Sequence, residues 1–187
     1  MRTFIAIKIV PEKKLKDLVS VFKNALKDEI INWADTDNLH LTLRFIGETE
    51  QKQLDEIIRL IDEVAQRFKP FQLNLKDVGF FKSQNQPRVL FFAAENGFML
   101  KQLAAEIEKM VVACGFSVEE RFFNPHLTIA RIKFLQNKMA FYDLINQFMG
   151  TEIQTVTVSE IVYYQSILTS AGAIYKPLKI IRLNNPH

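Results

Sequence analysis

Two of the three histidines in the chain stand in the same short pattern, and this repeat is where the sequence could carry chemistry. The segment His40-Leu41-Thr42-Leu43 in the first half is matched by His126-Leu127-Thr128-Ile129 in the second. With nine threonines in 187 residues, a threonine two places after a given histidine arises by chance roughly one time in twenty. Its presence after both internal histidines, between apolar residues each time, indicates a duplicated functional motif.

Two imidazoles and two hydroxyls around one point would suit phosphodiester chemistry. Histidine has an unperturbed pKa near ~6.5, so a neutral imidazole can take a proton from an attacking water while an imidazolium protonates the departing ribose oxygen. The threonine hydroxyls can donate hydrogen bonds to the non-bridging phosphate oxygens, where charge is held in the transition state. This scheme requires no metal.

The spacing predicts how these side chains are presented. Residues i and i+2 of a β-strand point to the same face, so we expect His40 and Thr42 to project together, and His126 and Thr128 likewise. By the same alternation, Arg44 would share the side of the first histidine. The intervening apolar residues would face the core: Leu41, Leu43, Phe45, Leu127 and Ile129.

Histidines in strands also occur as structural residues and as metal ligands. A single histidine in a strand is more often a hydrogen-bonded structural residue, whereas two in duplicated contexts favour a function. A metal site would need a third and a fourth ligand, and neither motif has a cysteine or a carboxylate at a ligand-like spacing. Asp35 and Asp37 precede His40, and we expect them to shape the turn before its strand. We therefore predict no metal site and no cofactor.

Apolar periodicity predicts the elements that position the motifs. Helical spacing runs over Leu15–Leu26, Leu54–Ala65 and Leu100–Cys114, and a shorter helix over Lys138–Met149 ends at Gly150. The predicted strands are Thr3–Val10, His40–Ile46, Phe71–Val78, Arg88–Ala93, His126–Ile132, Thr155–Gln165 and Tyr175–Leu183, with a loop at Lys82–Pro87.

The predicted helices and strands come in two similar series, with no Pro-, Gly- or Ser-rich linker between them. We therefore expect an α+β fold in which residues 1–187 form a single bilobal domain, with mostly antiparallel sheets and the helices on the outside. If a pseudo-twofold axis relates the duplicated lobes, the two His/Thr pairs converge on a central cleft.

The composition is typical of a globular protein, because 48% hydrophobic and 24% charged residues exclude a disordered or collagenous chain. A net charge of +3 is compatible with a phosphate-bearing ligand, although proteins that hold long nucleic acids usually carry a stronger basic excess. The single cysteine, Cys114, excludes an internal disulfide. With no apolar run near the ~20 residues that cross a bilayer and no recognisable signal peptide, we expect a cytoplasmic monomer that does not bind membranes.

On its paired motifs the sequence resembles the 2H phosphoesterase superfamily, which is named for two HxTx motifs, and within it the LigT-like RNA 2′,3′-cyclic phosphodiesterases. The resemblance extends over nearly the whole chain. Its segments are RTFIAIKIVPE from Arg2, NWADTDNLHLTLRFIGE from Asn32, FFNPHLTIARIK from Phe122 and SILTSAGAIYKPLKIIRL from Ser166. It implies a bilobal α+β fold and hydrolysis of a terminal RNA 2′,3′-cyclic phosphate to a 2′-phosphomonoester.

By position in the motifs, the resemblance implies a role for each of four side chains. His40 would be the proton donor to the leaving 3′-oxygen, and His126 would be the proton acceptor that activates water. Thr42 and Thr128 would bind the phosphate.

Two further residues occupy matching places, five positions after each histidine. Arg131 matches a family arginine near the substrate and would bind the phosphate or stack on the base. Because an unbroken strand would turn it away from the second histidine, this role requires a bulge or the end of the strand. Phe45 would stack on a base. Three tyrosines of the C-terminal strands would line the site: Tyr163, Tyr164 and Tyr175.

The sequence leaves other substrates and roles open. The same fold could act on a 2′–5′ linkage, ligate RNA by the reverse of 2′-O chemistry, or hydrolyse a small cyclic nucleotide. A non-catalytic module that binds RNA ends or nucleotides, or a metal-dependent hydrolase, is a different class. The complete pair of motifs argues against the binding module, because binding alone does not require two titrating imidazoles.

Overall fold

The computed structural model describes residues 1–95, 97–170 and 172–184, which contain nine strands and four helices. The strands are β1 (Arg2–Lys8), β2 (Ile30–Trp33), β3 (His40–Glu48), β4 (Phe71–Ser83), β5 (Gln86–Glu95), β6 (His126–Phe134), β7 (Glu152–Val158), β8 (Glu160–Thr169) and β9 (Gly172–Arg182). The helices are α1 (Lys13–Ala25), α2 (Gln51–Ala65), α3 (Gly97–Ala113) and α4 (Lys138–Gln147), with a 3-10 turn at Thr36–Asn38.

All nine strands belong to one sheet, which consists of two four-stranded halves with a similar arrangement, joined in the middle, and one additional strand. The order is β7-β4-β5-β6-β3-β1-β8-β9, with β2 paired to β6 off this path, and the pairs are antiparallel. The halves β3-β1-β8-β9 and β6-β5-β4-β7 meet where Leu41 pairs with Leu127, the single pairing position between β3 and β6. The predicted α+β fold is confirmed, and its two lobes are halves of one continuous sheet.

The helices cover one face of the sheet and leave the motifs on the other. Each helix buries an apolar stripe, as α2 does with Leu54, Ile57 and Ile61, because residues three and four apart share a helix face. Leu41 and Leu127 are fully buried in the same core. Since side chains alternate along a strand, the histidines beside these leucines lie on the opposite face, which we call the histidine face.

Three elements differ from the sequence prediction. The strand expected over Thr155–Gln165 is two strands broken at Ser159, because β7 pairs with β4 while β8 crosses to pair with β1. The expected loop at Lys82–Pro87 is a two-residue turn, in which Gln84 and Asn85 adopt positive φ angles of 50° and 58°, the conformation that matches a hairpin's twist. The edge strand β2 was not predicted.

No helix in the described ranges is long and apolar enough to span a membrane.

Candidate functional site

The two His/Thr pairs lie side by side in the middle of the sheet. Strands β3 and β6 pair through the leucine that follows each histidine. Because the two strands run antiparallel, His40 lies toward Thr128 and Thr42 lies toward His126. The fold therefore brings together the four side chains that the repeated motif singles out.

A β-bulge follows each motif at the same distance from its histidine. Leu43 is skipped in the pairing of β3 with β1, and Ile129 is skipped in the pairing of β6 with β5. Each is the third residue after its histidine. A bulged residue reverses the alternation beyond it, so the fourth residue after each histidine turns into the core and the fifth returns to the histidine face.

The bulges decide which side chains accompany the histidines. Arg131 is exposed on the histidine face, as the role implied for it requires. Phe45 is 55% exposed, and its ring lies 5.9 Å from that of Phe4 on the same face. The prediction that Phe45 packs into the core by strand alternation is therefore wrong, and its position is compatible with the predicted contact with a base.

Arg44 does not reach the histidine face, contrary to the alternation expected of an unbroken strand. Its side chain is 8% exposed and forms ion pairs with Glu108 on α3 and, at 3.6 Å, with Glu119. Its guanidinium also donates to the carbonyl oxygens of Phe45 and, at 2.6 Å, Ser117. A buried charge needs such partners, and these contacts join β3 to α3 and to the segment that leads to the second motif.

The same backbone contact fixes each imidazole. The Nδ1 of His40 lies 2.7 Å from the carbonyl oxygen of Asn38, and the Nδ1 of His126 lies 2.7 Å from that of Asn124. Because a carbonyl oxygen can only accept, Nδ1 carries the hydrogen in both rings. In the neutral imidazole Nε2 is then the nitrogen that can take a proton, and it makes no hydrogen bond within the described part of the chain.

Burial lowers the pKa of both histidines. At His40 the loss of hydration is the largest cause, and the nearby charges of Arg131 and His126 lower the pKa further. At His126 burial again comes first, and the charge of Arg131 adds to it. The hydrogen bonds to the asparagine carbonyls oppose the change and raise the pKa of each ring. Both imidazoles are therefore mostly neutral at about pH 7 in the free protein, and both lie within the field of Arg131.

Aromatic rings enclose both imidazoles. Phe4 lies 5.0 Å from the imidazole of the first motif, and Phe91 lies 5.3 Å from that of the second, each in a tilted arrangement. A second ring meets each imidazole edge-on: Tyr175 in the first half at 4.9 Å and Phe81 in the second at 4.8 Å. Because rings carry little polarity, they keep water from the imidazoles and favour their neutral form.

The hydroxyls of Thr42 and Thr128 complete the polar part of the site. Both residues are half-buried, and their side chains form no hydrogen bond to any described residue. Each hydroxyl can therefore donate to an anion held between the two histidines. With the guanidinium of Arg131, they give the site three groups that attract phosphate oxygens.

The candidate metal ligands before the first motif have a structural role. Asp35 accepts a hydrogen bond from the backbone N–H of Asp37 at 3.0 Å and caps the 3-10 turn that leads into β3, as predicted. Over the ranges that the structure describes, no group of three or more His, Cys, Asp or Glu side chains could hold a metal ion.

The three tyrosines predicted to line the site divide between the two faces of the sheet. Tyr164 and Tyr175 lie near His40, with ring centroids 6.4 Å and 4.9 Å from its imidazole. Tyr163 is fully buried in the hydrophobic core, and its hydroxyl donates to the buried Thr3 Oγ1 at 3.1 Å. The prediction for Tyr163 is wrong because adjacent residues of a strand point to opposite faces.

Sequence reasoning missed the groups that hold the imidazoles. Asn38 and Asn124 stand two residues before the histidines, so the repeat extends to N-x-H-x-T in both halves, and this longer pattern was visible. The rings of Phe4, Phe81 and Phe91 come from other strands. Nothing in the spacing along the chain indicates which of the sixteen phenylalanines pack against a histidine.

A family model and the named relatives indicate one family, and a solved structure shares the fold. The family model described as "LigT like Phosphoesterase" matches residues 7–91 and 94–175. The chain is 34% identical over 179 residues to the RNA 2′,3′-cyclic phosphodiesterase of Methanocaldococcus jannaschii, covering 96% of this chain and 99% of that protein. It is 35% identical to the Thermotoga maritima protein of the same name, covering 95% and 93%. A crystal structure of a Thermus thermophilus protein superposes with a TM-score of 0.80 over 100% of both chains at 24% identity.

Proposed function

The chain belongs to the LigT-like phosphoesterase family, and on that premise we propose that it is an RNA 2′,3′-cyclic phosphodiesterase. It hydrolyses a terminal 2′,3′-cyclic phosphate to a 2′-phosphomonoester by acid/base catalysis with two histidines and without a metal. The names of its relatives support the substrate class, since both the archaeal and the bacterial protein are RNA 2′,3′-cyclic phosphodiesterases.

One observation carries the mechanism: both imidazoles are held through Nδ1 and leave Nε2 toward the histidine face. The two 2.7 Å contacts to the carbonyls of Asn38 and Asn124 fix the same tautomer in both rings. Neither Nε2 takes part in holding the described part of the fold, so both nitrogens are available to a ligand. Two rings with an unused Nε2 beside two unused threonine hydroxyls form a site that is prepared for proton transfer around an anion.

The reaction follows from these positions. Nε2 of His126 takes a proton from water, and the water oxygen forms a bond to phosphorus. The bond from phosphorus to the 3′-oxygen breaks, and Nε2–H of His40 gives its proton to that oxygen. The products are a 2′-phosphomonoester and a 3′-hydroxyl. One water is consumed, and proton exchange with solvent returns both imidazoles to their starting states.

Substrate charge prepares His40 for its role as the acid. Burial, Arg131 and His126 keep its pKa low in the free protein, so few molecules carry the imidazolium at neutral pH. A bound cyclic phosphate brings a negative charge next to the ring, and an opposite charge within a few ångströms favours the protonated form. The acid is therefore assembled when the substrate binds.

The remaining site residues bind the substrate. Thr42 and Thr128 donate to the non-bridging oxygens, and Arg131 adds a charge-assisted hydrogen bond to the same group. Phe45, exposed on the histidine face five residues after His40, stacks on the terminal base. We further propose that residues 1–187 act as one domain and as a monomer on RNA 3′ ends in the cytoplasm.

The test is hydrolysis of an oligoribonucleotide that ends in a 2′,3′-cyclic phosphate, in excess EDTA. We expect turnover, with ³¹P NMR showing a 2′-phosphate end. Turnover that stops in EDTA and returns with a divalent metal would contradict the metal-independent mechanism. A 3′-phosphate product would contradict the assignment of the leaving oxygen. Parallel assays with a 2′–5′ dinucleotide and with a small cyclic nucleotide separate the proposed substrate from these alternatives.

A further inference from the structure

Two aromatic residues on different strands occupy the same place against the two histidines. Phe81 on β4 meets the imidazole of His126 at 4.8 Å and 86°, and Tyr175 on β9 meets that of His40 at 4.9 Å and 81°. A tilted ring from the adjacent strand, β5 or β1, completes each pair. The edge-on contact is thus repeated in both halves although neither aromatic residue belongs to the repeated motif.

We propose that Tyr175 and Phe81 are positioning residues, whose rings hold His40 and His126 in the orientation that proton transfer requires. The proposal rests on the two-histidine mechanism and identifies side chains that orient the two imidazoles for it. Neither residue is expected to touch the reacting atoms.

An imidazole held only by its Nδ1 hydrogen bond retains freedom to tilt. The χ2 angle of histidine has broad minima, so a single contact to Asn38 or Asn124 does not fix the direction in which Nε2 points. Each imidazole has one tilted and one nearly perpendicular ring with centroids 4.8–5.3 Å away, and this close packing restricts its tilt. A displacement of about 1 Å at a reacting group can cost roughly 10²-fold in rate, so this restriction matters.

The ring, and not the tyrosine hydroxyl, is the part that the two halves share. Phe81 has no hydroxyl, and the hydroxyl of Tyr175 donates to no described residue. Tyr164 on β8 is stacked on Phe4 at 5.1 Å, but its ring is 6.4 Å from the imidazole of His40. The edge-on place in the first half is therefore filled from β9, the strand beyond β8, and a phenylalanine at position 175 should serve equally well.

The burial that the two rings supply gives a readout that does not depend on turnover. The charged and titratable groups around His40 are Arg131 and His126 on β6, Lys8 opposite it on β1, Tyr164 on β8, and Tyr175 on β9. Replacing Tyr175 by leucine leaves every other group in this set in place. A change in the pKa of His40 then reports the change in its hydration.

The experiment compares Tyr175→Leu, Tyr175→Phe and Phe81→Leu. Histidine pKa values are measured by NMR titration, with His40→Gln and His126→Gln variants to assign the signals, and kcat is measured on the cyclic phosphate substrate. We expect Tyr175→Leu to raise the pKa of His40 toward its usual value, to leave that of His126 unchanged, and to lower kcat by roughly 10- to 100-fold. Phe81→Leu should give the reverse pattern of pKa changes, and Tyr175→Phe should match the parent protein in both measurements.

Three results would overturn the proposal. The first is an unchanged His40 pKa in Tyr175→Leu, and the second is a kcat in that variant equal to the parent value. The third is a Tyr175→Phe variant as slow as Tyr175→Leu, which would show that the hydroxyl, and not the ring, supports the rate. If Tyr175→Leu does not fold, Tyr175→Met replaces it with a side chain closer in volume. Because the NMR titration needs no substrate, a failure of the proposed reaction leaves the positioning role of the two rings testable.

Discussion

The regions around the first and the second motif have similar backbone geometry but differ in a side chain that follows the histidine. Both have an Nδ1 contact to an asparagine carbonyl, a bulge three residues after the histidine and an edge-on aromatic ring. They differ at the fifth residue, which is Phe45 in one and Arg131 in the other. The shared parts hold two imidazoles in the same way, and under the proposed mechanism the differing residues would determine which histidine acts on which side of the substrate.

The asymmetry gives a physical basis for the opposite proton transfers that we propose for one duplicated motif. A symmetric pair of imidazoles with equal surroundings would have no preferred acid. In the proposed mechanism the charge of Arg131 and the exposed ring of Phe45 would give the phosphate and the base different places to bind, so that the leaving oxygen would face one histidine. The proposed role of each histidine thus depends on residues outside the HxT repeat.

Removing either histidine should have the largest effect. We expect His40→Ala and His126→Ala each to lower kcat by roughly 10²- to 10⁴-fold, because each removes one proton transfer from the transition state. Since the two act as a unit, the double variant should be little slower than the slower single variant. Thermal melts of all three would separate lost chemistry from lost folding, and a single variant with unchanged kcat would contradict the two-histidine mechanism.

Replacing Arg131 should be next in size and should move the pH profile. Arg131→Gln would remove the proposed hydrogen bond to the phosphate, and we expect kcat/KM to fall by roughly 10²-fold. The variant also removes a positive charge that lowers the pKa of both histidines, so both pKa values rise and the optimum of kcat/KM moves to higher pH. Arg59→Gln on α2, an equal change of charge in an exposed residue, is the control and should leave the profile in place. A fall in rate without a change of optimum would show that Arg131 does not act on the imidazoles.

Phe45 should matter for binding more than for the chemical step. Stacking of a base on an aromatic ring is worth about 1–3 kcal/mol, so Phe45→Ala should raise KM while kcat changes little. The exposed Phe98 of α3, 71% accessible, provides a control through Phe98→Ala. A substrate with an abasic 3′-terminal nucleotide should abolish the difference between Phe45→Ala and the parent. An equal loss on both substrates would contradict base stacking.

The smallest effect concerns stability. Burial lowers the pKa of both histidines in the folded state, so between those lowered values and the unfolded value of about 6.5 the unfolded chain binds more protons. The free energy of unfolding should therefore fall as pH decreases through this window and level off below it as far as these groups are concerned. Urea titrations of the parent and of His40→Gln/His126→Gln should show a weaker dependence in the variant, and identical slopes would contradict the lowered pKa values.

Much of this molecule could be predicted from its sequence because strong periodicity and a repeated motif agree. The four helices, the α+β class and the shared face of His40 and Thr42 follow from spacing alone. The bulges at Leu43 and Ile129 do not, since nothing in their side chains distinguishes a bulged residue from a paired one. For this reason alternation misplaced Arg44 and Phe45, although the implied role of Arg131 already required a bulge or the end of its strand.

Other features of the structure depend on contacts between distant parts of the chain. The chain breaks at Ser159 because β7 pairs with β4 in one half of the sheet, whereas β8 pairs with β1 in the other half. The packing of Tyr175 against His40 depends on the same crossing. Local propensity carries no information about such pairings, because they are selected by the burial of the whole sheet.

The most direct test of the two-histidine mechanism changes the leaving atom of the substrate. A cyclic phosphate with sulfur in place of the 3′-oxygen releases a thiolate, which needs no proton because thiols ionise near pH ~8.5. We predict that the rate loss caused by His40→Ala becomes at least about tenfold smaller on this substrate, while the loss caused by His126→Ala stays the same. Equal losses on the oxygen and sulfur substrates for both variants, or rescue of His126→Ala instead, would contradict the assignment of His40 as the acid and His126 as the base.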